Sequence, residues 1–130
     1  MKLHDYFENN KGRGVLSTAD RAGNVNAAVY ARPHMMEDQQ IAFIMRDRLS
    51  HKNIQENPHA AYLFMTEGQG YSGVRLYLEK VSETENAAEI DELQRRKKNY
   101  EEEAGPRFLV YFKVTKILPL IGDGESDISL

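Results

Sequence analysis

The sequence predicts a mainly β protein: a small, six-stranded antiparallel β-barrel with peripheral helices. Three observations lead there. Six short runs rich in apolar residues are separated by Gly-, Asn-, Asp- and Pro-containing turns. The run Val74 to Val81 alternates cleanly, with Val74, Leu76 and Leu78 on one face and Arg75, Tyr77 and Glu79 on the other. Only one long helical pattern is present, over residues 86–103. A set of hairpin-connected strands tends to close on itself, because closure removes exposed edges.

The elements follow in order. Residues 1–11 read as a short helix with Leu3, Tyr6 and Phe7 on one face, ended by Gly12 and Gly14. Val15 to Ala19 reads as the first strand. Asp20 to Asn24 is turn chemistry, with Gly23 able to take φ > 0. Val25 to Arg32 returns as the second strand and makes a hairpin; Pro33 ends it or marks an edge. This strand is unusually rich in small residues, with Ala27, Ala28 and Ala31 around Val29 and Tyr30. Alanine is not a favoured strand residue. Small side chains there suit either a flat ligand lying close to the backbone or tight packing under a helix.

After the polar turn Glu37–Gln40, the apolar run Ile41–Met45 reads as a buried third strand. It leads into Arg46-Asp47-Arg48-Leu49-Ser50-His51-Lys52-Asn53, then a short helical piece, Ile54 to Asn57, stopped by Pro58. Ser50 has the chemistry of an N-cap. Cations crowded at a helix start have the wrong sign for the helix dipole, at a cost of about 0.3–1 kcal/mol each. A bound anion reverses that sign, and free N–H groups, a hydroxyl and cationic side chains are what a phosphate needs. The other reading is a solvated basic turn with Asp47 as its counter-ion.

Ala60 to Thr66 is the fourth strand, residues 67–73 form a Gly-rich loop, and Val74 to Val81 is the fifth strand. A strand follows that loop, so it lacks the strand-to-helix context of a phosphate loop. The helix over 86–103 carries a thin apolar stripe, Ala87, Ile90, Leu93 and Tyr100, and ends at Gly105-Pro106. Phe108 to Val114 is the last strand and is apolar on both faces at its start. Its second face must meet a helix, a ligand or another subunit. One domain over 1–121 is expected, with an acidic, mobile tail over 122–130.

Bulk properties narrow the function. The chain has 130 residues and a net charge of −3, which opposes nucleic-acid backbone binding. It has no cysteine, which excludes disulfides, thiolate metal sites and a cysteine nucleophile, and suits a reducing cytoplasm. No apolar run approaches a membrane span. The four histidines, His4, His34, His51 and His59, lack paired metal-ligand spacing. His34 is the best axial candidate were the barrel a haem binder.

The ordered pattern of strand, basic turn, Lys52-Asn53-Ile54-Gln55-Glu56-Asn57-Pro58 and second apolar strand resembles the pyridoxamine 5′-phosphate oxidase-like family. Gly23 to Tyr30 and Gly73 to Leu78 resemble that family's second and fifth strands, and the likeness spans about residues 12–118. The resemblance implies a Greek-key split barrel that binds FMN as a homodimer, with the flavin at the subunit interface. Carried over by position, Arg46, Arg48, Ser50, His51 and Lys52 would hold the phosphate. Ala28, Val29, Tyr30 and Ala31 would run beside the isoalloxazine. The true oxidases continue into a C-terminal segment whose arginine and histidine grip pyridoxal phosphate; no counterpart exists here. The expected activity is therefore hydride or electron transfer from a reduced nicotinamide or protein donor to a small acceptor, not pyridoxamine oxidation. The alternative is a non-enzymatic flavin- or haem-binding dimeric module.

Overall fold

A computed structural model describes residues 1–85, 87–95 and 105–130. The described part is mainly β, with seven strands in one antiparallel sheet and three helices. The strands are β1 (Gly12–Ala19), β2 (Val25–Val29), β3 (His34–Met35), β4 (Gln40–Arg46), β5 (His59–Thr66), β6 (Gly73–Thr84) and β7 (Arg107–Pro119). The helices are α1 (Leu3–Asn9), α2 (Leu49–Glu56) and α3 (Ala87–Arg95). The sheet order is β2-β1-β5-β6-β7-β4-β3.

The strand count corrects the expected six. The additional strand, β3, has only two residues, directly after Pro33, too few for alternation to reveal. It pairs with β4 through a two-residue turn in which Asp38 and Gln39 both have positive φ, 57° and 60°. The hydrogen-bonding order also leaves β2 and β3 as edges, so the ladder does not close as the expected barrel would.

The sheet nevertheless curls around one interior. Tyr62 of β5 and Phe43 of β4 have ring centroids 5.0 Å apart, although β6 and β7 lie between those strands in the ladder. Tyr30, just past β2, also meets Phe43, at 5.7 Å. Irregularities in the β6–β7 register, at Tyr77/Leu78 and Lys80/Ser82, help the bending. The interior receives alternate residues of each strand: Leu16, Tyr62 and Phe64, then Val74, Leu76 and Leu78, with Phe112 and Ile41. Helix α1 adds Leu3, Tyr6 and Phe7 as its spacing predicts, and Phe7 packs edge-on against Phe64 at 5.3 Å.

Gly12 and Gly14 lie within β1 rather than ending α1. A Cβ on Gly14 would sit 1.9 Å from the Tyr62 hydroxyl oxygen. The glycines are there because the core comes that close.

The second apolar face of β7 meets a helix of the same chain. Leu109 and Ala42 are fully buried with Ile90 of α3, and Tyr111 donates its hydroxyl hydrogen to Glu89 at 2.8 Å. Burial, with Glu89 beside it, pushes the Tyr111 hydroxyl up to about 12. The rest of the helix expected over 86–103, including Tyr100, lies outside the described residues.

The segment expected as a mobile tail is placed beside the N-terminus. Leu3 N–H donates to the Ser129 carbonyl at 2.7 Å, and Ile128 and Leu130 pack on the core. Among the described residues no helix is long and apolar enough to cross a membrane.

Candidate functional site

Helix α2 begins five residues before the Ile54 start that the sequence suggests for its regular part, because Leu49 to Asn53 are themselves helical. The N-cap is Arg48 in an extended conformation, with no side-chain cap bond. Ser50 is thus not the cap. It sits in the first turn, 4% exposed, and its hydroxyl is used elsewhere. Asn26 of β2 donates to Ser50 Oγ at 3.3 Å. Deeper in α2, Asn53 donates to Thr18 of β1 at 3.1 Å, both fully buried. These polar contacts fix the start of α2 across β1 and β2.

A cleft of about 410 Å³ opens where edge strand β2, the end of β4 and the first turn of α2 meet. Seven of the nine residues singled out in the sequence line it: Ala28, Val29, Tyr30, Ala31, Arg46, Arg48 and Ser50. Alternation explains the wall: Asn26 and Ala28 of β2 are half-buried while Val25, Ala27 and Val29 are exposed. The floor near Tyr30 is dry enough to push its hydroxyl up by desolvation, against the opposing effects of the Ser50 hydrogen bond and the Arg48 charge. The first turn of α2 contains no acidic side chain. Cations, hydroxyl and helix N-terminus therefore line one concavity.

The structure separates the other two residues from this cleft. Lys52 is exposed on α2 and does not line it. His51 turns toward β6 and β7 instead. Its ring stacks on Phe108 at 4.0 Å, and its Nε2 meets Glu83 at 2.8 Å. Gln55 and Lys80 each donate to the same Glu83 carboxylate at 2.6 Å. Burial alone would raise Glu83, but the bonds from Lys80, Gln55 and His51 outweigh it and hold the carboxyl at about 2. On the helix His51 points about 100° away from Ser50, toward β6 and β7 rather than the cleft.

Sequence reasoning missed Asn26, Ile44 and Leu49, which also line the cleft. Period two gave the signal for two of them: Asn26 precedes Ala28 by two residues, and Ile44 precedes Arg46 by two. Arg32 is not at the cleft; it donates to the Phe7 and Asn10 carbonyls at 2.6 and 2.9 Å, capping α1. His34, with His4, lines a different groove of about 350 Å³. Among the described residues no group of three or more His, Asp or Glu could hold a metal ion.

No family model matches the sequence, and neither does any curated protein. Solved structures do match. An FMN-binding protein from Syntrophomonas wolfei is 24% identical, with a TM-score of 0.73 over 88% of this chain and 81% of that one. An F420 reductase is 18% identical, with a TM-score of 0.65 over 88% and 94%. A protein provisionally named pyridoxamine 5′-phosphate oxidase, from Lactobacillus delbrueckii, is 15% identical, with a TM-score of 0.64 over 88% of each chain. The chain shares their fold. The resemblance read from the strand and turn motifs is thus met at the level of fold, across nearly the whole chain.

Proposed function

We propose that the chain is an FMN-binding flavoprotein of split-barrel type, with the cofactor in the cleft between β2, β4 and α2. One observation carries the reading: Arg46, Arg48 and Ser50 line one cleft together with Ala28, Val29, Tyr30 and Ala31. That donor set fits a phosphate monoester, and a wall of small side chains fits a flat ring. The volume lies in the range of small-molecule sites. The FMN-binding and F420-reducing proteins of the same fold support the choice of a flavin-like cofactor.

Bound there, FMN would supply hydride or electron transfer between a reduced nicotinamide or protein donor and a small acceptor. The protein's own part is to bind and orient. Arg46 and Arg48 would neutralise the phosphate, Ser50 would donate to it, and the strand wall would exclude water from one face of the ring. Among the described residues no carboxylate or imidazole lines the cleft to carry a proton.

The reading includes a homodimer. Val25 and Val29 are 83% and 81% exposed on the outward face of edge strand β2. Leu63 continues that face through Val15 of β1, which pairs with both Val29 and Leu63. A second copy laid on it would complete the cleft beside Val29. Leu109 and Tyr111, on the second face of β7, are instead taken up by α3. The absence of cysteine suits a reducing, cytoplasmic setting.

Purified protein should show flavin absorbance, or acquire it on titration with FMN, and should bind FMN more tightly than riboflavin. Equal affinity for the two would remove the phosphate from the cleft. Oxidation of a reduced nicotinamide by the FMN-loaded protein would distinguish an enzyme from a binding module.

A further inference from the structure

Helix α2 is a poor helix on its own. It has eight residues, and isolated helices that short are marginal in water. Its N-cap, Arg48, makes no side-chain cap bond, and no acidic residue in its first turn meets the positive end of the dipole. The order of that turn therefore comes from tertiary contacts. On the cleft side the ties are neutral and long: Asn26 to Ser50 at 3.3 Å and Asn53 to Thr18 at 3.1 Å. On the far side they are short and meet at one carboxylate. Glu83 accepts from His51 Nε2 at 2.8 Å and from Gln55 and Lys80 at 2.6 Å each. A carboxylate only accepts, so Nε2 carries the ring hydrogen. Phe108 backs the same ring, 4.0 Å away and 9° from parallel. His51 follows Ser50 directly and is itself buried.

We propose that Glu83 is a positioning residue for the cleft, acting through His51 and Gln55 to hold the first turn of α2 where Ser50 and the helix N–H groups can meet an anionic oxygen. This rests on the phosphate reading above and names what keeps that end of the cleft in place. Neither Glu83 nor His51, Gln55, Lys80 or Phe108 lines the cleft, so the effect travels through the helix alone. An anion seated at the first turn supplies the negative charge that its own sequence lacks. Ligand and network thus stabilise one element, and each strengthens the other. Riboflavin, which has no phosphate, draws less from that turn.

The test compares FMN and riboflavin binding, read by flavin fluorescence, in the wild type, Glu83→Gln, Phe108→Leu and Leu118→Ala. Leu118 is buried near the far end of β7 and controls for lost stability alone. Glu83→Gln should weaken FMN about fivefold to tenfold and riboflavin less than about twofold. Phe108→Leu keeps apolar bulk but loses the stack; it should act in the same sense to a smaller extent, which covers the case that Glu83→Gln folds poorly. Leu118→Ala should change neither flavin. The Lys52 amide donates to the Arg48 carbonyl at 3.0 Å and so reports the first turn directly. Its hydrogen exchange should quicken in Glu83→Gln and slow again with FMN but not with riboflavin. Variants that keep the wild-type preference for FMN, that lose both flavins equally, or that leave Lys52 exchange unchanged would overturn the proposal while the flavin site stands. A wild type that binds FMN no better than riboflavin, or takes up neither, would overturn the phosphate reading and this proposal with it.

Discussion

At the scale of single residues, adjacency in sequence and adjacency in space part company within one helical turn. Arg48, Ser50, His51 and Lys52 look alike as a basic cluster, yet only Arg48 and Ser50 line the cleft. The sequence carried the residue types but not the phase of the helix, because α2 starts at Leu49 rather than after Asn53. Had the start been known, the 100° step would have turned His51 away from Ser50, though it would not have separated Lys52 from Arg48, one turn apart. A contrast follows. Arg48→Ala should weaken FMN binding by about 1–3 kcal/mol, as for a lost charge-assisted bond. Lys52→Ala should cost less than about 1 kcal/mol, as for a remote exposed charge. Titration of both variants with FMN checks this; equal losses would place Lys52 in the site. Gly14 was legible as a glycine but not as a contact. Its partner is Tyr62, far away in sequence. Gly14→Ala should destabilise by about 1–3 kcal/mol or more, read by chemical denaturation, because the Tyr62 ring must move.

Helix α2 faces two ways. One face offers Ser50 to the cleft; the next holds His51 against Glu83 and Phe108. The Glu83 network ties α2 to β6, and its carboxyl is held at about 2 against an ordinary 4.5. A depressed carboxyl stabilises the fold above its unfolded value and loses that contribution as pH falls through the folded one. The Glu83 contribution should therefore be constant above about 4.5 and be lost as pH drops toward about 2, a loss of at most about 3 kcal/mol that solvent screening reduces. Glu83→Gln should be less stable at neutral pH and should flatten that part of the acid decline. Urea midpoints across the range decide it; an unchanged slope in the variant would mean that other carboxylates govern the acid limb. The network was not legible beforehand, since Glu83 stands in the stretch after Val81, where the fifth strand was expected to have ended; β6 runs on to Thr84. A continuing pair with β7 overrode the local signal.

For the molecule as a whole, the strands and their inward faces were largely readable because alternation is strong in β1, β5 and β6. The second face of β7 was readable as covered, but not by what, since the choice between α3 and a partner depends on long-range packing. The outward face of β2 was missed altogether: exposed valines look the same in sequence as buried ones. Val29→Glu should leave the monomer folded, because the side chain is exposed, and should abolish self-association. Sedimentation velocity and circular dichroism together read both effects. A Val29→Glu protein that is still dimeric would move the interface elsewhere.

The tight turn between β3 and β4 has a practical consequence. Two adjacent residues with side chains, Asp38 and Gln39, adopt the left-handed backbone that Asn-Gly favours in two-residue hairpins. Exchanging the pair for Asn-Gly should relieve about 1–2 kcal/mol of steric cost. That margin is comparable to what many cofactor-pocket changes forfeit. A scaffold carrying the exchange would let weakened variants survive long enough for their ligand affinities to be compared on equal terms.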